Sequence, residues 1–289
     1  MLDYILLHPP LLYLLVGLYA LIVGSFLNVV IYRLPIMLQK NWYNQCVEYL
    51  NLDKRTFPQS QASFNLFMPA SQCPKCQYPV KLYANIPLLS YLFLLGRCAS
   101  CKQTISLRYP LIEMSSCLLA IYLTWHFGWS WQLAATLIFS WLLICLIFID
   151  FDHQLLPDGL TLSLLWLGLI VNLGHIFCSS QDAIIGAVAG YLSLWLVANL
   201  FKWFTGREGM GYGDFKLLAA LGAWAGWQML PLIILLSSIV GAVVGISLMV
   251  FKNHKRDVPI PFGPYLAIAG WIALLFGKQL VNVYIQTTI

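Results

Sequence analysis

Eight apolar stretches, all but the first two separated by short polar connections, constrain this chain more than any single motif in it. They lie at about 11–32, 109–127, 131–149, 159–178, 183–203, 215–228, 231–251 and 263–283. A helix crossing the hydrocarbon core of a bilayer needs about 20 apolar residues, and only helices or closed barrels satisfy their backbone there. The runs are too long and too little alternated for barrel strands. Composition agrees, because 60% hydrophobic and 9% charged residues cannot present an ordinary charged surface to water. The expected fold is an all-α polytopic membrane protein of about eight transmembrane helices. Its sixth run, Phe215 to Trp227, is short and rich in Ala and Gly. The first run lacks a basic leading region and a small-residue cleavage site, so it reads as a retained helix.

Orientation follows from Lys and Arg. Of the 16 in the chain, nine fall in 33–108, three in 202–216 and three in 252–256, loops that an eight-helix count places on one side. The positive-inside rule makes that side cytoplasmic, with both termini outside. The net charge of +5 therefore tracks the loops, and with no recognition motif beside it, nucleic-acid binding is not expected.

The expected domains are an N-terminal helix (1–35), a polar cytoplasmic segment (36–108) and a seven-helix membrane core (109–289). Within the polar segment, Cys73-Pro74-Lys75-Cys76 and Cys98-Ala99-Ser100-Cys101 are separated by 21 residues. Each CxxC pair places two thiolates on one side of a tight turn, and two pairs complete an S4 site suited to structural Zn²⁺. The alternative is two disulfides, which a reducing cytoplasm disfavours. Cys46, Cys117, Cys145 and Cys178 are scattered and read as packing residues.

The remaining chemistry sits where acids enter apolar runs. In Gly209-Met210-Gly211-Tyr212-Gly213-Asp214-Phe215-Lys216, three alternating glycines precede Asp214 and Lys216. Glycine there allows a turn or the close approach of another backbone, and an ionisable residue in a span is a functional-site hypothesis by default. The plainer reading makes Asp214 an N-terminal helix cap. Asp150 lies at the end of the third run on the same side, so the two carboxyls can face each other. Such a pair shares one proton and supplies a general base and a general acid. Asp150 and Asp152 also fit interfacial caps, and Asp158 fits the cap of the following helix. Gly24, Ser25 and Asn28 fit close helix packing, Arg33 an interfacial anchor, and Glu113 either a ligand-positioning acid or an ion pair with Arg33 or Lys216.

Taken together, Gly24-Ser25-Phe26-Leu27-Asn28 through Arg33-Leu34-Pro35, the paired CxxC motifs, Tyr109-Pro110-Leu111-Ile112-Glu113, Asp150 with Pro157-Asp158, the GYGD at 211–214 with Lys216, and Pro261-Phe262-Gly263-Pro264-Tyr265 resemble the bacterial type IV prepilin leader peptidases. These are membrane aspartic proteases that also methylate the new pilin N-terminus. The GxGD element alone also fits presenilin-like and archaeal preflagellin peptidases. The resemblance implies an inner-membrane enzyme with Asp150 and Asp214 as catalytic pair. It implies cleavage of type IV prepilins and type II secretion pseudopilins on the cytoplasmic side, and work alongside the pilus or secretion assembly machinery. It further implies S-adenosylmethionine as methyl donor, although the chain has no glycine fingerprint of a Rossmann unit. Gly24, Asn28 and Glu113 are weak candidates for that site. Readings from other classes are a proton-coupled transporter using the same aspartates and a non-enzymatic assembly scaffold.

Overall fold

The structure is a computed structural model that describes residues 9–51, 64–73, 75–80, 86–252 and 261–288. Lys54, Arg55, Lys81, Lys255 and Arg256 of the orientation count, and Pro74 of the first CxxC pair, lie outside the described residues. Apart from two isolated antiparallel bridges, the regular structure among the described residues is helical. The helices are α1 (Pro9–Tyr49), α2 (Leu89–Phe93), α3 (Arg108–Phe127), α4 (Trp131–His153), α5 (Asp158–Leu173), α6 (Ser180–Thr205), α7 (Tyr212–Ala225), α8 (Leu230–Lys252) and α9 (Gly263–Thr288). A 3₁₀ turn, Trp227–Met229, joins α7 to α8. The chain divides into two compact units, Met1–Leu133 and Ala134–Ile289.

In the first unit α3 packs along α1. A Cβ on Gly24 would stand 2.9 Å from the Glu113 Cα, so the two backbones approach as closely as a missing side chain permits. Ser116 donates to the Ala20 carbonyl at 2.8 Å, and the Asn28 amide donates to the carbonyls of Gly24 and Tyr109, each at 3.2 Å. α1 does not stop at Tyr32 as expected. It runs through Pro35, which forfeits only the hydrogen bond to the Ile31 carbonyl, and continues to Tyr49 through a polar last stretch.

The second unit is built around α7. This 14-residue helix is buried from Asp214 to Trp224 except at half-buried Lys216, and packs against α6, α5, α9 and α8. A helix apolar on every side has to be enclosed. Its contact with α6 is made by glycine: a Cβ on either Gly186 or Gly222 would overlap the other's carbonyl oxygen, and one on Gly190 would lie 2.7 Å from the Leu218 oxygen. The far end of α7 is closed by Asn172, whose amide donates to the carbonyls of Ala223 at 2.8 Å and Trp224 at 3.1 Å. The Trp224 indole in turn donates to the Leu164 carbonyl at 2.8 Å.

Each of the eight expected spans coincides with a helix, but only five regions among the described residues are long and apolar enough to cross a membrane. They are Pro9–Tyr49, Trp131–His153, Ser180–Thr205, Trp227–Ser247 and Gly263–Tyr284. α3 carries Arg108, Glu113 and His126. α5 and α7, with 16 and 14 residues, are about 24 and 21 Å long at 1.5 Å per residue.

Because no side chain can retreat from a carbonyl overlap at the α6–α7 crossing, Gly222→Ala is expected to lower stability by about 1–3 kcal/mol. Thermal unfolding of the detergent-solubilised protein measures it.

Candidate functional site

The turn before α7 brings Asp214 into the second unit's core. Gly211 caps the helix with extended backbone, its carbonyl accepting from the Asp214 amide at 3.2 Å, and the Asp214 carboxyl reaches back to the Gly211 N–H. That is the reach-back half of a capping box from the third helical position; the cap position itself belongs to Gly211 and not to Asp214. Yet its carboxyl is only 9% exposed, and Asp150, at the last turn of α4, is only 5% exposed. The two carboxyls lie within electrostatic reach of each other. A solvated cap would need neither that burial nor that neighbour.

The three glycines have different neighbours. A Cβ on Gly209 would meet the Phe201 ring at 2.7 Å and one on Gly213 the Leu156 Cβ at 2.8 Å, whereas Gly211 has only the Gly213 amide nitrogen nearby, at 4.0 Å. Two of the three are thus filled by this chain's own side chains, and Gly211 is open for another backbone to approach.

Two contributors were not legible in the motifs. Leu156, in the loop after α4, touches both Gly213 and Gly263 and so links the two acidic turns. Gly263, the first residue of α9, donates its backbone N–H to the Asp150 carboxyl. A Cβ there would lie 2.6 Å from the Asp150 Oδ2 and 3.2 Å from the Leu156 Cδ1. Glycine between two prolines reads as a turn, and nothing in the sequence says which side chain occupies the missing methyl's place.

Asp158 is the first residue of α5 and its carboxylate accepts from Lys216 at 2.6 Å; the cap position itself belongs to Pro157. Lys216 is therefore paired with Asp158 within the second unit. Arg33 is buried and donates to the carbonyls of Asn65 at 3.0 Å, Leu66 at 3.5 Å and Pro69 at 2.7 Å, with its guanidinium over the Phe64 ring. It is a clamp on the 64–69 loop rather than an interfacial anchor. The Glu113 carboxylate accepts from the Leu88 N–H at 2.8 Å and from Ser25, so it holds the start of α2 onto α1 and α3, with no arginine or lysine partner among the described residues. Gly24 and Asn28 are used in the α1–α3 contact, as close packing requires.

The four CxxC cysteines form one cluster, with all Sγ atoms within 4.8 Å of one another. It is built from two copies of one knuckle, 25 residues apart. Cys73 N–H donates to the Tyr78 carbonyl and Cys98 N–H to that of Gln103; Gln77 N–H returns to Cys73 and Lys102 N–H to Cys98. Gln77 and Lys102 both take positive φ, 55° and 57°. The bridges Gln72–Pro79 and Arg97–Thr104 close the two copies, and Lys75 donates to Gln103 across them at 3.0 Å. All eight cysteines are free thiols. The Cys73–Cys101 and Cys76–Cys98 sulfurs are 3.8 and 4.0 Å apart. Tetrahedral Zn²⁺ with Zn–S of about 2.3 Å requires about 3.8 Å between sulfurs, so donor type, number and spacing fit that ion.

Residues 18–127 match the family model described as Bacterial Peptidase A24 N-terminal domain, and residues 137–246 match the Type IV leader peptidase family. Among curated relatives, a Prepilin leader peptidase/N-methyltransferase of Pseudomonas aeruginosa is 55% identical over 99% of this chain and 98% of its own length. Proteins with the same description from Stutzerimonas stutzeri and Legionella pneumophila are 57% and 49% identical, over 92% and 96% of this chain and 91% and 96% of their own lengths. No solved structure matches.

Two outcomes test the cysteine cluster. Cys98→Ser is expected to lose bound zinc by elemental analysis and to melt at lower temperature than wild type. The backbone N–H groups of Cys76 and Lys75 hold the Cys73 thiol down at about 6, so its thiolate is present above that pH and lost below it. After chelation, alkylation of Cys73 should therefore rise between about pH 5 and 7, as read by peptide mass mapping.

Proposed function

The chain belongs to the type IV leader peptidase family, and from that premise we propose that it is a membrane aspartic endopeptidase that removes the leader of type IV prepilins and type II secretion pseudopilins and then methylates the new N-terminal residue. The peptidase half is supported by two buried acids from different helices, Asp150 and Asp214, within electrostatic reach of each other in the second unit. Two close carboxyls in an apolar setting hold one proton between them, so the ionised member takes a proton from water and the protonated member gives one to the scissile carbonyl oxygen. Water is the nucleophile, and no covalent enzyme intermediate is needed. Open Gly211, one turn before Asp214, leaves room for the substrate backbone beside the pair.

Methylation calls for S-adenosylmethionine, the donor that the methyltransferase half of the relatives' description implies. No α/β unit of the Rossmann kind occurs among the described residues, and with Gly24 and Asn28 engaged in the α1–α3 contact, Glu113 near α2 is the remaining candidate for the donor site. Zn²⁺ held by Cys73, Cys76, Cys98 and Cys101 would supply folding energy to the knuckles; four thiolates close its shell, so it takes no part in either reaction.

The distribution of Lys and Arg supports an inner-membrane protein with eight spans, in which the knuckle segment and both aspartates face the cytoplasm. On that reading the division is 1–35, 36–108 and 109–289. The substrate's scissile bond lies where its apolar helix emerges, at the depth of the carboxyl pair. The same location would put the enzyme next to the pilus or type II secretion assembly machinery.

The purified protein, incubated with a prepilin and S-adenosylmethionine, is expected to yield a product lacking the leader and heavier by one methyl group. Asp150→Asn and Asp214→Asn should each lower cleavage by about 10²–10⁴-fold or more. Full cleavage by either variant would remove that residue from the pair. An intact prepilin after incubation with folded, zinc-loaded wild type would overturn the peptidase reading.

A further inference from the structure

We infer that Gly263 is a positioning residue of the peptidase reaction: the first amide of α9 holds the Asp150 carboxyl, and the absence of a side chain at 263 is what lets it do so. The inference rests on Asp150 being one half of the catalytic pair. α4 delivers Asp150 at its own C-terminal end, where the helix offers unpaired carbonyls and no amide to a carboxylate. The donor has to come from another element. It comes from the start of α9, where Pro264 has no N–H and Tyr265 and Leu266 donate to the Phe262 carbonyl, and where the Gly263 N–H is given to Asp150.

The approach tolerates no substituent. A Cβ at 263 would stand 2.6 Å from Oδ2 and 3.2 Å from Cγ of Asp150, and 3.2 Å from Leu156 Cδ1. Leu156 cannot yield freely, because its Cβ is already against Gly213, in the turn that carries Asp214. Gly263, Leu156 and Gly213 therefore form one packed chain of contacts between the two acidic turns. A methyl at 263 would push the Asp150 carboxyl away from Asp214 or lift α9 from the site. With one oxygen of Asp150 fixed by an amide, its other oxygen is left for the shared proton or the attacking water, which sets the orientation the reaction needs.

Kinetics of Gly263→Ala separate this role from a packing role. Gly277→Ala serves as the control on the same helix, since its new Cβ would meet the flexible Met229 sulfur, 2.6 Å away, outside the pair. Three readouts are taken: kcat and KM for prepilin cleavage, methylation of an already cleaved pilin peptide, and bound zinc. Gly263→Ala is expected to lose about 10²-fold in kcat, the scale of a 1 Å misplacement. Its KM, methylation and zinc should stay within about twofold of wild type. Gly277→Ala should keep its kcat. Wild-type kcat in Gly263→Ala, or an equal loss in Gly277→Ala, overturns the inference. So does a parallel loss of methylation and zinc, which would mark a folding defect. Asp150→Asn, measured alongside, keeps the two readings apart: if it cleaves normally, the proposed pair has failed; if it is inactive while Gly263→Ala is not, only the role of Gly263 has.

Discussion

A helix that is apolar on every side and too short to span a bilayer must be wrapped completely, and its two ends must find hydrogen-bond partners away from water. α7 meets the first condition from Leu217 to Trp224, and much of the second unit follows from how it does so. Gly186, Gly190 and Gly222 bring α6 onto its backbone. Asn172, from the end of α5, takes the last carbonyls, and the Gly211 carbonyl takes the Asp214 amide. A carboxyl at the third residue of such a helix is then carried into the core with it. Asp214 is buried because the helix behind it is buried, and Asp150, in the last turn of α4, lies within electrostatic reach of it.

The first unit uses polar groups differently. Arg33 and Glu113 are both buried, but neither is paired with an opposite charge in the contacts described above; each is satisfied by the backbone of the polar segment, Arg33 by carbonyls at 65–69 and Glu113 by the Leu88 amide. Hydrogen bonds from a charged group to backbone are about twice as strong as neutral ones, so they can hold a segment that has little apolar core of its own. The duplicated knuckle adds a second constraint on the same segment. Two knuckles with matching hydrogen bonds converge four sulfurs with a geometry that a metal ion needs and an oxidised pair does not.

How much of this was readable beforehand depends on the kind of signal. The helical class, the cysteine cluster and the two acids were legible because each rests on a local pattern: apolar run length, CxxC spacing, and charge at the edge of a span. The extent of α1 was not, since Pro35 reads as a stop and the energy that carries the helix past it is tertiary. Run length marks eight stretches where five regions among the described residues are clearly long and apolar enough to cross, because α5 and α7 share the composition of membrane-crossing helices but are shorter. The pairings of Lys216 with Asp158 and of Arg33 with backbone carbonyls could not be chosen from charge alone, when several partners of the right sign stood at the same expected depth. Gly263 looked like part of a turn, and its contact with Asp150 exists only once α4 and α9 are packed.

The central claim is that α4 and α7 bring Asp150 and Asp214 to one point. Oxidative cross-linking of the double variant Asp150→Cys/Asp214→Cys tests this most directly, with Asp152→Cys/Asp214→Cys as its comparison, because Asp152 lies on the exposed side of the same helical turn. Peptide mapping should find the 150–214 disulfide formed readily and the 152–214 one not. A 152–214 bond in preference, or no bond between 150 and 214 in folded protein, would contradict the account.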